Sequence, residues 1–232
     1  MNKLVISCMD RRLNDLIEEQ YSDCFIIRNA GANVYPVAKE IKDLIKNKDI
    51  REIILLAHTD CGAMNKVFGI IKRGKSADPD LEESLISQYR KLDFDSIDEL
   101  EKDNLNLQVD KLKSEFPETK IDGRLIRIED IKVPKDDKIH ELILANPSKP
   151  GYSGLLDQLS LNHFSAYILQ SDTNNIMPDL KLAVADLGVK FIHLISIEKE
   201  NPRDRKVDQQ RLNLIFGKDG VKISIYSYPL KA

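Results

Sequence analysis

Short apolar runs alternate with amphipathic stretches along residues 3–129. Residues 3–7, around Leu4, Val5 and Ile6, read as a first buried strand, Cys24 to Arg28 as a second and Glu52 to Ala57 as a third. Between them, Leu13 to Gln20 sets Leu13, Leu16 and Ile17 on one helical face. A second helix, with Pro36 in its first turn and running to about Lys46, carries Val37, Ile41, Leu44 and Ile45 as its apolar stripe. A helix from about Met64 to Lys72, another from Asn104 to Phe116 and a strand from Ile121 to Glu129 complete the series. Strands alternating with helices of this length predict an α/β fold on a parallel sheet.

The order then repeats. After a linker around Val133 to Lys138, the run at Leu142 answers the one at Leu4, and Ala166-Tyr-Ile-Leu answers Cys24-Phe-Ile-Ile. The helix opening Met177-Pro178-Asp179 answers the one opening Tyr35-Pro36-Val37, and the run after Lys190 answers the one after Arg51. A helix around Val207 to Phe216 and a strand from Val221 to Tyr228 close the second series as the first was closed. Matching elements in one order predict an internal repeat of two related α/β halves, residues 1–135 and 140–232. Residues 78–103 hold ten acids against three bases, which predicts a solvated helical insertion, about 76–103, within the first half.

Three cysteines and one of the four histidines carry the candidate chemistry. Cys8 ends the first strand, and His58 and Cys61 follow the third. In open α/β sheets ligands collect beyond the carboxyl ends of the strands, so these three side chains can meet around one ion. Two thiolates and an imidazole suit tetrahedral zinc, and three protein ligands leave the open fourth position of a catalytic site. Cys24 opens its strand at the far end of the sheet and reads as a small buried hydrophobe. The second half lacks the trio: Asn146 stands where Cys8 is, and Ile197 and Glu200 where His58 and Cys61 are. His140, His163 and His193 have no cysteine companion and read as ordinary core or surface residues. One Zn2+ per chain is expected.

Charge and composition narrow the class. A net charge of −3 argues against a nucleic-acid surface, and no apolar run approaches membrane-spanning length. The start lacks signal-peptide form, since Asp10, Arg11 and Arg12 follow Leu4-Val5-Ile6 closely, and metal thiolates favour a reducing compartment. The expected location is the cytoplasm and the expected partner a small molecule, with no nucleic acid and no membrane.

Cys8-x-Asp10-x-Arg12, Arg28-Asn29-Ala30-Gly31 after a strand, and His58-x-x-Cys61-Gly62 after the next, in that order, resemble the β-class carbonic anhydrase family. The resemblance covers residues 3 to about 70 and, more weakly, about 104–129. It implies a parallel-sheet fold assembled as a dimer, here an internal pseudo-dimer whose second half walls the cleft. It also implies reversible hydration of carbon dioxide to bicarbonate by zinc-bound hydroxide. Asp10 would orient the nucleophile with Arg12 holding it, and in a closed form Asp10 would swing round as a fourth ligand beside Cys8, His58 and Cys61. Rival readings are hydrolysis of carbon disulfide or carbonyl sulfide on the same fold, and a zinc-binding protein without turnover.

Overall fold

A computed structural model describes residues 2–133, 140–145, 166–171, 176–197 and 202–228, with backbone alone for 196–197, 202–207 and 227–228. The first unit runs β1 (Lys3–Cys8), α1 (Asn14–Tyr21), β2 (Phe25–Asn29), α2 (Ala38–Lys48), β3 (Glu52–His58), α3 (Gly62–Arg73), α4 (Ile97–Glu115) and β4 (Lys120–Ile126). The second runs β5 (Glu141–Ala145), β6 (Ala166–Gln170), α5 (Met177–Ala185), β7 (Phe191–Ile197), α6 (Pro202–Phe216) and β8 (Lys222–Tyr228).

All the strands join one eight-stranded sheet in the order β4-β3-β1-β2-β6-β5-β7-β8. Pairing is parallel within each four-strand unit and antiparallel at the seam, where Arg28 of β2 faces Gln170 of β6. Counted outward from the seam the two units have the same strand order. They also share a register: Leu4 pairs with Phe25 and Ile53, and Leu142 with Tyr167 and Ile192.

Both faces of β1, β2 and β3 are covered, which is why their runs are continuously apolar rather than alternating. On one face Leu4, Ile6, Ile27, Ile53 and Leu55 pack under Ile41 and Leu44 of α2 and Leu112 of α4. On the other, Val5, Ile26, Ile54 and Leu56 pack with Leu13, Ile17, Met64 and Val67, and the same cluster continues into Leu142, Leu144, Leu169 and Leu180 of the second unit. The seam is therefore continuous core. Around its edge, Ile168 N–H donates to Met9 O at 3.1 Å, Lys66 pairs with Asp186 at 2.8 Å, and Ser171 donates to Glu40 at 2.8 Å.

The acid-rich stretch departs from its predicted form. Residues 79–89 make short helical turns, and Leu81, Leu85, Ile86, Tyr89, Phe94 and Leu100 are buried in the main core, so the segment is packed rather than a solvated excursion. Its acids other than Glu101 face outward, where Lys181 of α5 binds Asp78 at 3.1 Å and Asp80 at 2.6 Å. Helix α4 begins at Ile97, not near Asn104, because Ser96 and Glu99 close a capping box. Glu99 N–H donates to the Ser96 hydroxyl at 3.2 Å and Ser96 N–H to the Glu99 carboxylate at 3.3 Å. The predicted linker beyond Val133 falls largely outside the described residues, as do Asn146, His163 and Glu200; Ile197 is described by its backbone only.

Candidate metal centre

Strand ends build the site. Cys8 is the last residue of β1 and His58 the last of β3, and parallel pairing of these strands brings both to the carboxyl edge of the sheet. Asp60, at φ +55°, makes the left-handed turn that lets the chain leave β3 and start α3, and Cys61 stands at that helix's N-cap. An aspartate tolerates this conformation better than most residues.

The ligand atoms of Cys8, His58 and Cys61 lie within 4.8 Å of one another, and all three residues are buried. Among the described residues they form the one such cluster of cysteine, histidine and acid side chains. The two sulfurs are 4.0 Å apart. Two thiolates held at about 2.3 Å by a tetrahedral zinc stand roughly 3.8 Å from each other, so the pair fits this ion with little movement. His58 Nδ1 lies 2.8 Å from the carbonyl oxygen of Thr59, to which it donates, while the buried Nε2 makes no hydrogen bond. That arrangement fixes the tautomer and leaves the Nε2 lone pair available to a metal.

The two thiols shift each other in opposite directions. The hydrogen bond from Cys61 lowers the Cys8 pKa well below its usual value and raises that of Cys61 well above it. Burial opposes charge on His58, but the Cys8 thiolate and Asp10 beside it outweigh burial and raise its pKa to about 9. Cys24, at the start of β2, takes no part; burial and the neighbouring Asp23 raise its pKa to about 11.

Asp10 stands next to the centre, with Oδ2 at 3.9 Å from His58 Nε2. Arg12 grips it from three nitrogens: its backbone N–H donates to Oδ1 at 2.9 Å, Nε to Oδ1 at 3.0 Å and Nη2 to Oδ2 at 2.8 Å. Burial works against the Asp10 charge, but the Arg12 fork and the charge on His58 overcome it and hold the carboxyl below the usual range. In this geometry Asp10 is turned to the arginine.

Sequence reasoning missed two supports, Asp60 and Glu101, and left a third, Arg28, undecided between anchoring the cleft and pairing with an acid. Asp60 holds Arg12 from the other side, taking Nη1 on its carboxylate at 2.6 Å and Nη2 on its main-chain oxygen at 2.7 Å. Glu101, buried in α4, accepts the Cys61 N–H at 2.8 Å, and burial raises its own pKa. Arg28, whose role was open, is buried and donates to the carbonyl oxygens of Cys8 at 3.1 Å and Asp10 at 2.9 Å and to Asn14 at 2.7 Å, tying down the turn that carries Asp10. Asn14 in turn donates to Ala166 O of β6 at 3.0 Å. The position of Asp60 between His58 and Cys61 was its one signal. Glu101 had none, being one acid in an acidic run.

The glycines have specific uses. Gly31 adopts φ +72°, and a Cβ there would meet Met64 Cε at 3.0 Å; a Cβ on Gly62 would approach Leu187 of the second unit at 3.4 Å. In the second unit, His193 is buried against the Tyr226 ring and lies 3.6 Å from Glu141.

Known proteins match the same stretch. A family model described as carbonic anhydrase matches residues 3–128. A curated relative, beta carbonic anhydrase 1 of Caenorhabditis elegans, is 29% identical over 93 residues, 32% of this chain and 34% of the relative. The match therefore spans about a third of that relative's length. Two solved structures are similar: the β-carbonic anhydrase CcaA, 23% identical, covering 56% of this chain and 70% of that one with a TM-score of 0.43, and carbonic anhydrase from Glaciozyma antarctica, 26% identical, covering 55% and 77% with a TM-score of 0.35. The matched residues span more than half of the chain and include Cys8, Asp10, Arg12, Arg28, His58 and Cys61, and on that ground the protein belongs to the β-class carbonic anhydrase family.

Proposed function

We propose that this chain is a zinc-dependent enzyme that hydrates carbon dioxide reversibly to bicarbonate. The observation that carries the reading is the buried Cys8, His58 and Cys61 cluster with an ionised Asp10 locked by Arg12 at its edge. Cys8, His58 and Cys61 would hold the ion. Zinc held there supplies a Lewis acid that makes water a nucleophile near neutral pH. A purely structural zinc needs neither a carboxylate beside it nor an arginine to hold that carboxylate.

Asp10 accepts a hydrogen bond from the attacking water and so aims a lone pair at the substrate carbon. Arg12 keeps Asp10 ionised and turned away from the ligands; released from Arg12, Asp10 would be free to serve as a fourth ligand and close the site. Asp60 and Arg28 fix the arginine and the Asp10 turn, so orientation is set before substrate arrives.

We read residues 140–232 as a degenerate repeat of 1–135 and the whole chain as an internal pseudo-dimer. The shared strand order and register, and an antiparallel seam between the corresponding strands β2 and β6, support this. The second unit supplies core and a wall to the cleft, not a second metal site. Three free cysteines suit a reducing compartment, and the cytoplasm is the proposed location.

The test is stopped-flow carbon dioxide hydration by the zinc-loaded protein, with carbonyl sulfide hydrolysis measured alongside. Hydration that disappears in Cys8→Ser and His58→Ala supports the reading. Zinc-loaded protein that turns over carbonyl sulfide but leaves carbon dioxide untouched would refute it.

A further inference from the structure

The second unit brings a buried carboxyl group to the turn that follows Asn29, the residue paired with Cys8 in the sheet. Asp179 lies in the first turn of α5, where an acid ordinarily caps its own helix or faces solvent. Here it is buried, 8% exposed, and accepts a hydrogen bond from the backbone N–H of Ala30, across the seam. Ala30 follows Asn29, the residue of β2 that pairs with Cys8. The other oxygen, Oδ2, is fully buried and has no hydrogen-bond partner.

The corresponding position in the first unit shows that the fold itself does not require an acid. Counting from Phe25 of β2 and Tyr167 of β6, Asp179 corresponds to Val37, which is apolar and buried. A buried carboxyl in place of a valine is costly unless something pairs with it. Burial raises the Asp179 pKa, to about 8, and the charge of Cys8 adds to that effect. Near neutral pH the group is therefore a neutral acid, with one oxygen engaged by Ala30 and a hydroxyl in need of an acceptor. Cys8 of β1 is the charged group it senses, and Ala30 its partner from the β2 turn.

We propose that Asp179 is a substrate-binding residue of the metal cleft, contributed by the second unit, whose Oδ2–H donates a hydrogen bond to an oxygen of bound bicarbonate. The proposal rests on the hydration reading above. It gives the second unit a direct part in the reaction: it delivers a donor at the position where the first unit has the apolar Val37.

The test uses the full-length zinc protein and two variants, Asp179→Asn and Asp179→Val, with bicarbonate as the probe and zinc content measured in each. Asparagine keeps an acceptor for Ala30 and an N–H donor in place of the hydroxyl; valine keeps neither. All three proteins should hold the same zinc. The bicarbonate dissociation constant by calorimetry, and KM in the dehydration direction, should stay within about threefold of wild type in Asp179→Asn and rise roughly tenfold or more in Asp179→Val, the size of one lost hydrogen bond.

Because valine can also loosen the seam, a second readout uses wild type and Asp179→Asn alone. Ionisation above about pH 8 turns the wild-type donor into a negative charge. Bicarbonate affinity should then fall more steeply with pH in wild type than in Asp179→Asn. Unchanged affinity in Asp179→Val, or identical pH profiles, in a wild type that hydrates carbon dioxide would overturn the role of Asp179 alone. A wild type that holds zinc but neither binds bicarbonate nor hydrates carbon dioxide would overturn both this role and the hydration reading.

Discussion

Arg12 serves two carboxylates at once, Asp10 on the side of the metal ligands and Asp60 on the side of solvent. The exposed pair with Asp60 adds little stability by itself, but it splays the guanidinium so that Nε and Nη2 remain aimed at Asp10. Arg12→Ala should therefore leave zinc content near wild type while hydration falls roughly a hundredfold, the scale of loss when a reacting group is misplaced by about 1 Å. Zinc analysis and stopped-flow rates on the same sample check this; full activity in the variant would remove Arg12 from the account. Asp179 gives a second residue-scale prediction, in stability. An ordinary aspartate loses its proton near pH 3.9 in the unfolded chain, whereas the folded pKa is raised to about 8. Between these values the native state holds a proton that the unfolded state has released, so stability falls as pH rises through that window and levels off above it. The urea midpoint of the zinc-free protein should decline from pH 5 to pH 8, and Asp179→Asn should flatten that part of the decline.

At the scale of elements, α4 reaches the centre through one hydrogen bond. Glu101→Ala would leave the buried Cys61 N–H without an acceptor, at a cost of about 1–3 kcal/mol. It should also weaken zinc binding roughly 10- to 100-fold, as loss of a group supporting a metal ligand does. Glu101→Gln keeps the acceptor and should restore most of both, which urea denaturation and competition with a chelator will show. Elements with a clear period were legible in the sequence: β1, β2 and β3 with their intervening helices, and the strand ends that carry Cys8, His58 and Cys61. The acid-rich stretch was not legible, because Leu81, Leu85, Ile86 and Tyr89 sit on successive short α, π and 3-10 turns whose spacing matches no single helical period. Its charges described the outer face and hid the buried one. The capping box at Ser96 and Glu99 was readable and marks the true start of α4. Asp179 could not be recognised as a buried acid from a pattern in which acids at helix starts are ordinary.

For the whole molecule, the seam decides what can be separated. A single hydrophobic cluster runs from Val5 and Met64 of the first unit to Leu169 and Leu180 of the second, so cutting the chain after residue 135 would expose β2 and one face of the sheet. An isolated 1–135 protein should self-associate or aggregate, and should lose activity although every proposed ligand is present. A monomeric, fully active 1–135 protein, by sedimentation and rate assay, would show that the second unit is an appendage. The centre itself is the more direct subject. Zinc-free full-length protein should be titrated with zinc while carbon dioxide hydration is followed. One working centre in the first unit predicts a rate that rises in proportion to added zinc and breaks at one equivalent per chain. A break at two equivalents, or tight binding of one zinc with no hydration, would contradict it.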